Sequence, residues 1–326
     1  MVEPLSAFGP VKMAITVDDL FLWPEVAHQN GYSPASCSAS LIRAFAANGV
    51  SDVYAFSATF ALDNDPGLKS VMDEWCAAGH HVGGHTHFHT SLNWLDAKRY
   101  VEDIDQSHEL IEPWVARAPS RYFRFAMDML GDTRSKTDEV MTHLAQTGYM
   151  HAPISYWFYD TQFVFPYDRA VRLDRSEDVA WLRDRFVETA VSCLRNQVAA
   201  SERNNLGRRP IHISLIHNSA IAADAYDRVL EAYAEAGVEF VTLEEAMRDP
   251  ANLIVAPGAN PHFRNLTQRW AAVLGVEIKA TPPSVLNELD AIAPIEGWDS
   301  ESLFSKALAG MARGTGAKPV LADLAP

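Results

Sequence analysis

The sequence predicts an α/β protein built on a parallel sheet, either closed as a barrel or doubly wound. Strand-like and helix-like segments alternate strictly from Met13 to Arg248. The chain has 326 residues, 48% of them hydrophobic, which is ample for one barrel-sized core or two ordinary ones. Polar residues able to do chemistry follow successive strand ends, the rim where barrels of this class carry their sites.

The elements follow in order. Met13–Val17 reads as the first strand. Ser33 and Pro34 supply an N-cap and a first helical residue, and that helix runs through Leu41–Phe45 to Gly49. Val53–Phe56 is a second strand, Pro66–Ala78 a helix stopped at Gly79, and His81-Val82 a short third strand leading into Gly83-Gly84. Ala97–Ile111 is an amphipathic helix expected to stop before Pro113. Tyr122–Phe125 is the fourth strand, Lys136–Gln146 a helix ending at Gly148, and His151–Tyr156 the fifth strand. Asp178–Ala199 is a long helix and Ile211–Ile216 the sixth strand. Asp224–Ala236, Val238–Thr242 and Leu243–Arg248 close the pattern as helix, strand and helix. No internal repeat is evident. From residue 289 the composition changes. Ser300–Arg313 can form one more helix, with Leu303, Phe304, Ala307, Leu308 and Met311 on one face. Docking on its own barrel, a homodimer contact and disorder all remain open for it.

Charge and composition exclude several classes. A net charge of −15 lacks the positive field that nucleic acid or an anionic membrane requires, and fits a small neutral or cationic substrate. No run approaches 18 apolar residues, and Met1–Lys12 has no charged segment followed by an apolar one. Cys37, Cys76 and Cys193 are isolated and odd in number, which suits reduced thiols. The expectation is a cytoplasmic protein.

Two motifs carry the chemistry. Thr16-Val17-Asp18-Asp19 ends the first strand, and His85-Thr86-His87-Phe88-His89 follows Gly83-Gly84. Together they offer two imidazoles and a carboxylate to a divalent metal, with a second carboxylate as proton acceptor. Five of the chain's 12 histidines lie between positions 80 and 89, where composition alone would put fewer than one. His81, His85 and His89 are each four apart. The glycine pair breaks a helix between the first two, so His85 and His89 pair on one turn and His87 points away. An extended segment would instead put His85, His87 and His89 on one face, and that ligand set stays open. Arg124, between Phe123 and Phe125, needs a carboxylate partner if buried, and Asp18 is the obvious one. His217 closes the apolar run Ile213–Ile216. Asp160 sits in an aromatic stretch from Tyr156 to Tyr167 that reads as a pocket wall, a lid or core packing.

These residues resemble the polysaccharide deacetylases, the NodB-homology group also called carbohydrate esterase family 4. Thr16–Asp19 is similar to the family's Thr-Phe-Asp-Asp motif, and His85–His89 to its His-Ser/Thr-x-x-His motif. Phe123-Arg124-Phe125 resembles its Arg-containing motif and Leu215-Ile216-His217 its Leu-x-His motif. The resemblance runs over roughly residues 10–288, through the strand-like Glu239–Leu243. It implies a distorted (β/α)7 barrel over residues 1–288, with residues 289–326 as a short C-terminal extension. It also implies a zinc-type ion, with cobalt, nickel or manganese as alternatives, held by Asp19, His85 and His89. Asp18 would be the general base, Arg124 its tether and His217 the general acid. Two departures stand out. Phe125-Ala126-Met127-Asp128 replaces the proline that usually follows the arginine, and Ser155–Asp160 replaces the usual Asp–Trp motif. Phe125, Trp157, Tyr159 and Asp160 are therefore the candidate substrate-binding residues. The implied activity is metal-dependent hydrolysis of an N-acetyl amide on a small acetylated sugar or related amide. A hydrolase of non-sugar C–N bonds, such as a cyclic imide, and a catalytically silent binding protein are the alternatives.

Overall fold

The computed structural model describes residues 10–21, 31–204, 208–254, 264–276 and 283–320. The expectations about residues 1–9 and the Pro-ended tail at 321–326 lie outside the described residues. In chain order the elements are β1 (Val11–Asp18), α1 (Pro34–Ala47), β2 (Tyr54–Phe56), α2 (Ala61–Asn64), α3 (Lys69–Ala77), β3 (His81–Gly83), α4 (Ala97–Val115), β4 (Tyr122–Phe123), α5 (Arg134–Gln146) and β5 (Met150–His151). There follow α6 (Thr161–Arg172), α7 (Ser176–Asn204), β6 (His212–His217), α8 (Ala220–Glu235), β7 (Val238–Val241), α9 (Leu243–Ala246), α10 (Pro250–Leu253), α11 (Leu266–Val273), α12 (Pro283–Ala291) and α13 (Ser300–Thr315).

All strand pairs are parallel, as the alternating sequence predicts. β1 is the hub: β6 pairs along Met13–Asp18, β2 along Thr16–Asp18 and β7 along Val11–Ala14. β3 continues beyond β2, and β4 pairs with β5 in a separate two-stranded sheet. Single parallel bridges link the chain just after β3 to β4 (Gly84–Phe123) and the chain beyond β5 to β6 (Tyr156–Ser214). Neighbours thus follow one another round from β1 back to β6. Regular pairing stops short of a complete barrel, and the two bridges span the gaps. β1 and β6 are buried along nearly their whole length, which is why both read as mainly apolar runs rather than alternating ones, with Thr16 and Ser214 as buried polar residues inside them.

Local chemistry fixes the helix starts. Ser33 caps α1 with Pro34 in its first turn, and Ser219 caps α8. Several details differ from the sequence expectation. α4 runs to Val115 through Pro113, because Ile111, Trp114 and Val115 are buried and packing carries the helix past the proline. β4 and β5 are two residues each, so Arg124 lies just beyond its strand. α6 occupies much of the aromatic stretch; Phe163, Phe165 and Tyr167 are core residues, not a lid. The 288/289 division falls inside α12.

The segment after β3 is placed by close packing and by α4. A side chain at Gly83 would run into the Phe56 ring and come within 3.0 Å of the Tyr122 carbonyl. That ring cannot swing freely, since the Arg124 guanidinium lies 4.2 Å from its centre. Farther on, the Asp103 carboxylate accepts the Phe88 N–H at 3.0 Å and its main-chain carbonyl accepts the His87 N–H at 3.2 Å. Burial pushes the Asp103 carboxyl up to about 7, against the pull of those N–H donors.

Gly83→Val should therefore destabilise the protein by about 1–3 kcal/mol through overpacking, read as a lower denaturation midpoint. Asp103 gives a pH-dependent test. Its raised pKa means that the folded chain binds this proton more tightly, so the stability contributed is full below about pH 4 and is lost as pH rises through 7. Asp103→Asn keeps an acceptor for Phe88 and removes the buried charge. Its advantage over wild type in thermal melts should grow between pH 4 and 7 and then level off; an advantage independent of pH would contradict the assignment.

Candidate metal centre and acid–base site

The site forms where β1 and β6 end side by side. Asp18 and His217 are register partners across these strands. Two residues back on the same face of β1, Thr16 also points inward. Arg124, fully buried, donates from one Nη1 to Asp18 Oδ1 at 2.8 Å and to Thr16 Oγ1 at 2.7 Å. The expected Arg124–Asp18 pair is present. Burial raises the Asp18 carboxyl above the ordinary range, while the Arg124 charge pulls it back.

Asp19 turns the other way. It stands just past the strand with a left-handed φ of 57° and is hydrogen-bonded through its N–H to the Phe56 carbonyl. Its carboxylate lies 3.7 Å from His89 Nε2. Among the described residues, one group of metal-ligating side chains is gathered: Asp19, His85 and His89, with ligand atoms within 4.8 Å of one another. The two imidazoles do not meet on a helical turn as predicted. The segment is irregular, and His89 reaches back with a φ of 56°. His87 faces away: Nδ1 meets Thr59 Oγ1 at 2.8 Å and Nε2 meets Asp63 at 3.1 Å. The three-histidine ligand set is thereby excluded, and His81 bonds Asp52 instead.

The cluster fits a divalent ion of the zinc type. His85 Nδ1 donates to the Arg124 carbonyl at 2.6 Å, which leaves Nε2 with its lone pair. Among the described residues, that Nε2 is buried without a hydrogen-bond partner. Burial, and the neighbouring His89, hold the His85 imidazole down at about 3, so it stays neutral as a ligand must. Two imidazole nitrogens and one carboxylate oxygen match the three-residue donor set of catalytic zinc sites.

On the other side, Asp160 carries His217. Its carboxylate accepts the His217 N–H at 2.9 Å and the Nδ1–H at 3.0 Å, and takes the Trp157 indole N–H as well. Burial alone would lower the His217 pKa. The Asp160 charge and hydrogen bond, helped by Asp19 and Asp18, reverse this and raise it to about 9.

The candidate substrate-binding residues separate. Trp157 and Tyr159 pack with ring centres 4.4 Å apart, and Trp157 lies 5.8 Å from the His217 ring. Together with Met129, Ile154 and Leu215 they form an apolar wall beside His217. Asp160 does not face a ligand; its oxygens hold His217. Phe125 is fully buried, stacked on Tyr100 at 5.8 Å, and belongs to the core. Two residues were missed by sequence reasoning. Gln268 on α11 donates to the Tyr159 hydroxyl, and Arg269 donates to Asp128 at 2.7 Å. The signal for their helix was present in Asn265-x-x-Gln268, which forms a reciprocal capping box.

Residues 9–150 match the family model described as polysaccharide deacetylase. That span contains Asp18, Asp19, His85, His89 and Arg124. No curated protein matches the chain. Solved structures share parts of its shape at low identity. A carbohydrate esterase family 4 pseudoenzyme from Bacillus anthracis has 12% identity and a TM-score of 0.48, covering 74% of this chain and 66% of that one. The polysaccharide deacetylase Bc1974 from Bacillus cereus has 14% identity and a TM-score of 0.48, covering 72% and 91%. The peptidoglycan deacetylase PdaC from Bacillus subtilis has 18% identity and a TM-score of 0.46, covering 73% and 92%. Over residues 9–150, then, this chain carries the pattern of the polysaccharide deacetylase family.

Proposed function

We propose that the protein is a metal-dependent hydrolase of N-acetyl amides, acting on a small acetylated sugar or a related amide. One observation carries this reading. A base held by Arg124 and an acid held by Asp160 stand on neighbouring strand ends, beside the Asp19, His85 and His89 cluster.

A zinc-type ion held by Asp19, His85 and His89 would polarise the amide carbonyl and make a water acidic. The other roles belong to side chains of this chain. Asp18 accepts the proton of the attacking water. Its raised pKa makes it a better proton acceptor than an ordinary carboxylate, and Arg124 keeps it aimed. Water oxygen bonds to the carbonyl carbon, and the C–N bond then breaks. His217 gives its proton to the departing nitrogen, which leaves poorly as an anion. With its pKa near 9, it is protonated at neutral pH. Trp157 and Tyr159 offer an apolar surface for the acyl methyl. Among the described residues no helix is long and apolar enough to cross a membrane.

Asp18→Asn should retain zinc but lose about 10²–10⁴-fold in kcat, the usual weight of a positioned base. His85→Ala should lose both zinc and turnover. Metal analysis with an acetate-release screen over acetylated sugars, aryl amides and cyclic imides checks this. A zinc-free His85→Ala protein working at the wild-type rate would end the metal mechanism, and imide opening without acetate release would replace the substrate class. Asp160→Asn removes the charge that keeps His217 protonated. The alkaline limb of its kcat profile should move to lower pH, with the acid limb little changed.

A further inference from the structure

The C-terminal helix α13 touches both halves of the site. At its start, Leu303 and Phe304 pack on Phe165 of α6, with the Phe304 and Phe165 rings 5.4 Å apart. α6 begins immediately after Asp160, the residue that carries His217. At its far end, α13 meets the metal-ligand segment. Thr90 Oγ1 donates to the Met311 carbonyl at 3.2 Å, and Arg99 donates to the Thr315 carbonyl at 3.3 Å. Gly314 lies flat against Phe88, and a Cβ there would overlap that ring. Phe88 and Thr90 are the two chain neighbours of His89.

The approach to α13 is also fixed. The buried Arg169 of α6 donates to the carbonyls of Leu289, Ile292 and Trp298, the last at 2.8 Å. Arg172 stacks over the Trp298 ring at 4.3 Å. Two cations of one helix therefore pin the run between α12 and α13. Gly314 has no left-handed φ, so its backbone does not demand glycine. Glycine in a helix costs about 1 kcal/mol relative to alanine. What its missing side chain provides here is contact with Phe88.

We propose that α13 is a clasp that fixes the metal-ligand segment against α6, the helix that follows Asp160, with Gly314 as its positioning residue. The proposal rests on the reading of Asp19, His85 and His89 as metal ligands. Gly314 acts through Phe88 on His89, which already holds a left-handed backbone and so depends on its neighbours for its place.

The test is zinc titration of the full-length, zinc-stripped protein against a chromophoric chelator. Gly314→Val should raise the zinc Kd by about 10–100-fold, the range for a disturbed supporting contact. Gly314→Ala, which adds only the Cβ and favours the helix, should raise it in the same direction and guards against misfolding of the valine variant. The double variant Phe88→Ala/Gly314→Val should bind zinc as Phe88→Ala alone does, because the overlapped ring is gone. A loss that is not transmitted through the Phe88 ring would not be relieved this way. Wild-type affinity in both Gly314 variants, or an unrelieved loss in the double variant, overturns the clasp alone. Failure of the wild type to bind zinc removes the metal reading, and the clasp falls with it.

Discussion

One buried guanidinium organises this site. Arg124 is fully buried, and its side chain ties Asp18 and Thr16 of β1 while lying over Phe56 of β2. Its main chain does as much: the N–H donates to Gly84 beyond β3, and the carbonyl accepts from His85. The same residue thus aims the proposed base and sets the tautomer of a proposed metal ligand. A buried cation without a carboxylate would cost several kcal/mol, and a buried Asp18 without its cation would cost similarly. Each therefore holds the other, and the strands that bear them are held to one register.

Burial sets the direction of most ionisations around this pair. It pushes Asp103 up to about 7 and Asp128 to about 6, and holds the imidazoles of His85 and His151 down at about 3. His217 is the exception, because three carboxylates face it and Asp160 bonds it directly. One pocket therefore contains a neutral imidazole suited to a metal and a protonated one suited to a leaving group. Environment alone separates two side chains of the same type into two roles.

Much of this is legible in the sequence, and the parts that are not share a cause. Asp18 and Asp19 can be placed because a short apolar strand fixes its own end. The partner of Arg124 follows from the cost of burying a charge. Asp160 reads as a pocket residue in the sequence because its actual role depends on the chain ahead of α6 meeting the end of β6, a contact between residues 57 positions apart. Phe125 reads as a site residue because it opens the stretch that replaces the usual proline after the arginine, but its ring is buried in the core against Tyr100. The chain leaves β4 at Phe123 and then bends through Met127 and Asp128, both at positive φ, so the alternation of a strand no longer applies. The pairing of His85 with His89 follows from a helical spacing that the backbone does not adopt; a left-handed His89 supplies the same closeness by another route.

The segment that carries the proposed metal ligands is positioned largely by side chains that are missing. A Cβ at Gly83 would meet Phe56, and one at Gly84 would meet Tyr149 and Phe123. As a helix breaker the pair has only a local effect; its larger one is to bring β3 against β4 so that His85 can reach the Arg124 carbonyl. Gly314 does the equivalent from the opposite side, against Phe88. Its neighbour Thr315 meets Thr90 there at 3.4 Å, across 225 positions of chain. Close approach on both flanks removes room for the segment to relax. The proposed ligand set includes two positive-φ residues, Asp19 and His89, a backbone arrangement that persists only where the surrounding packing supports it.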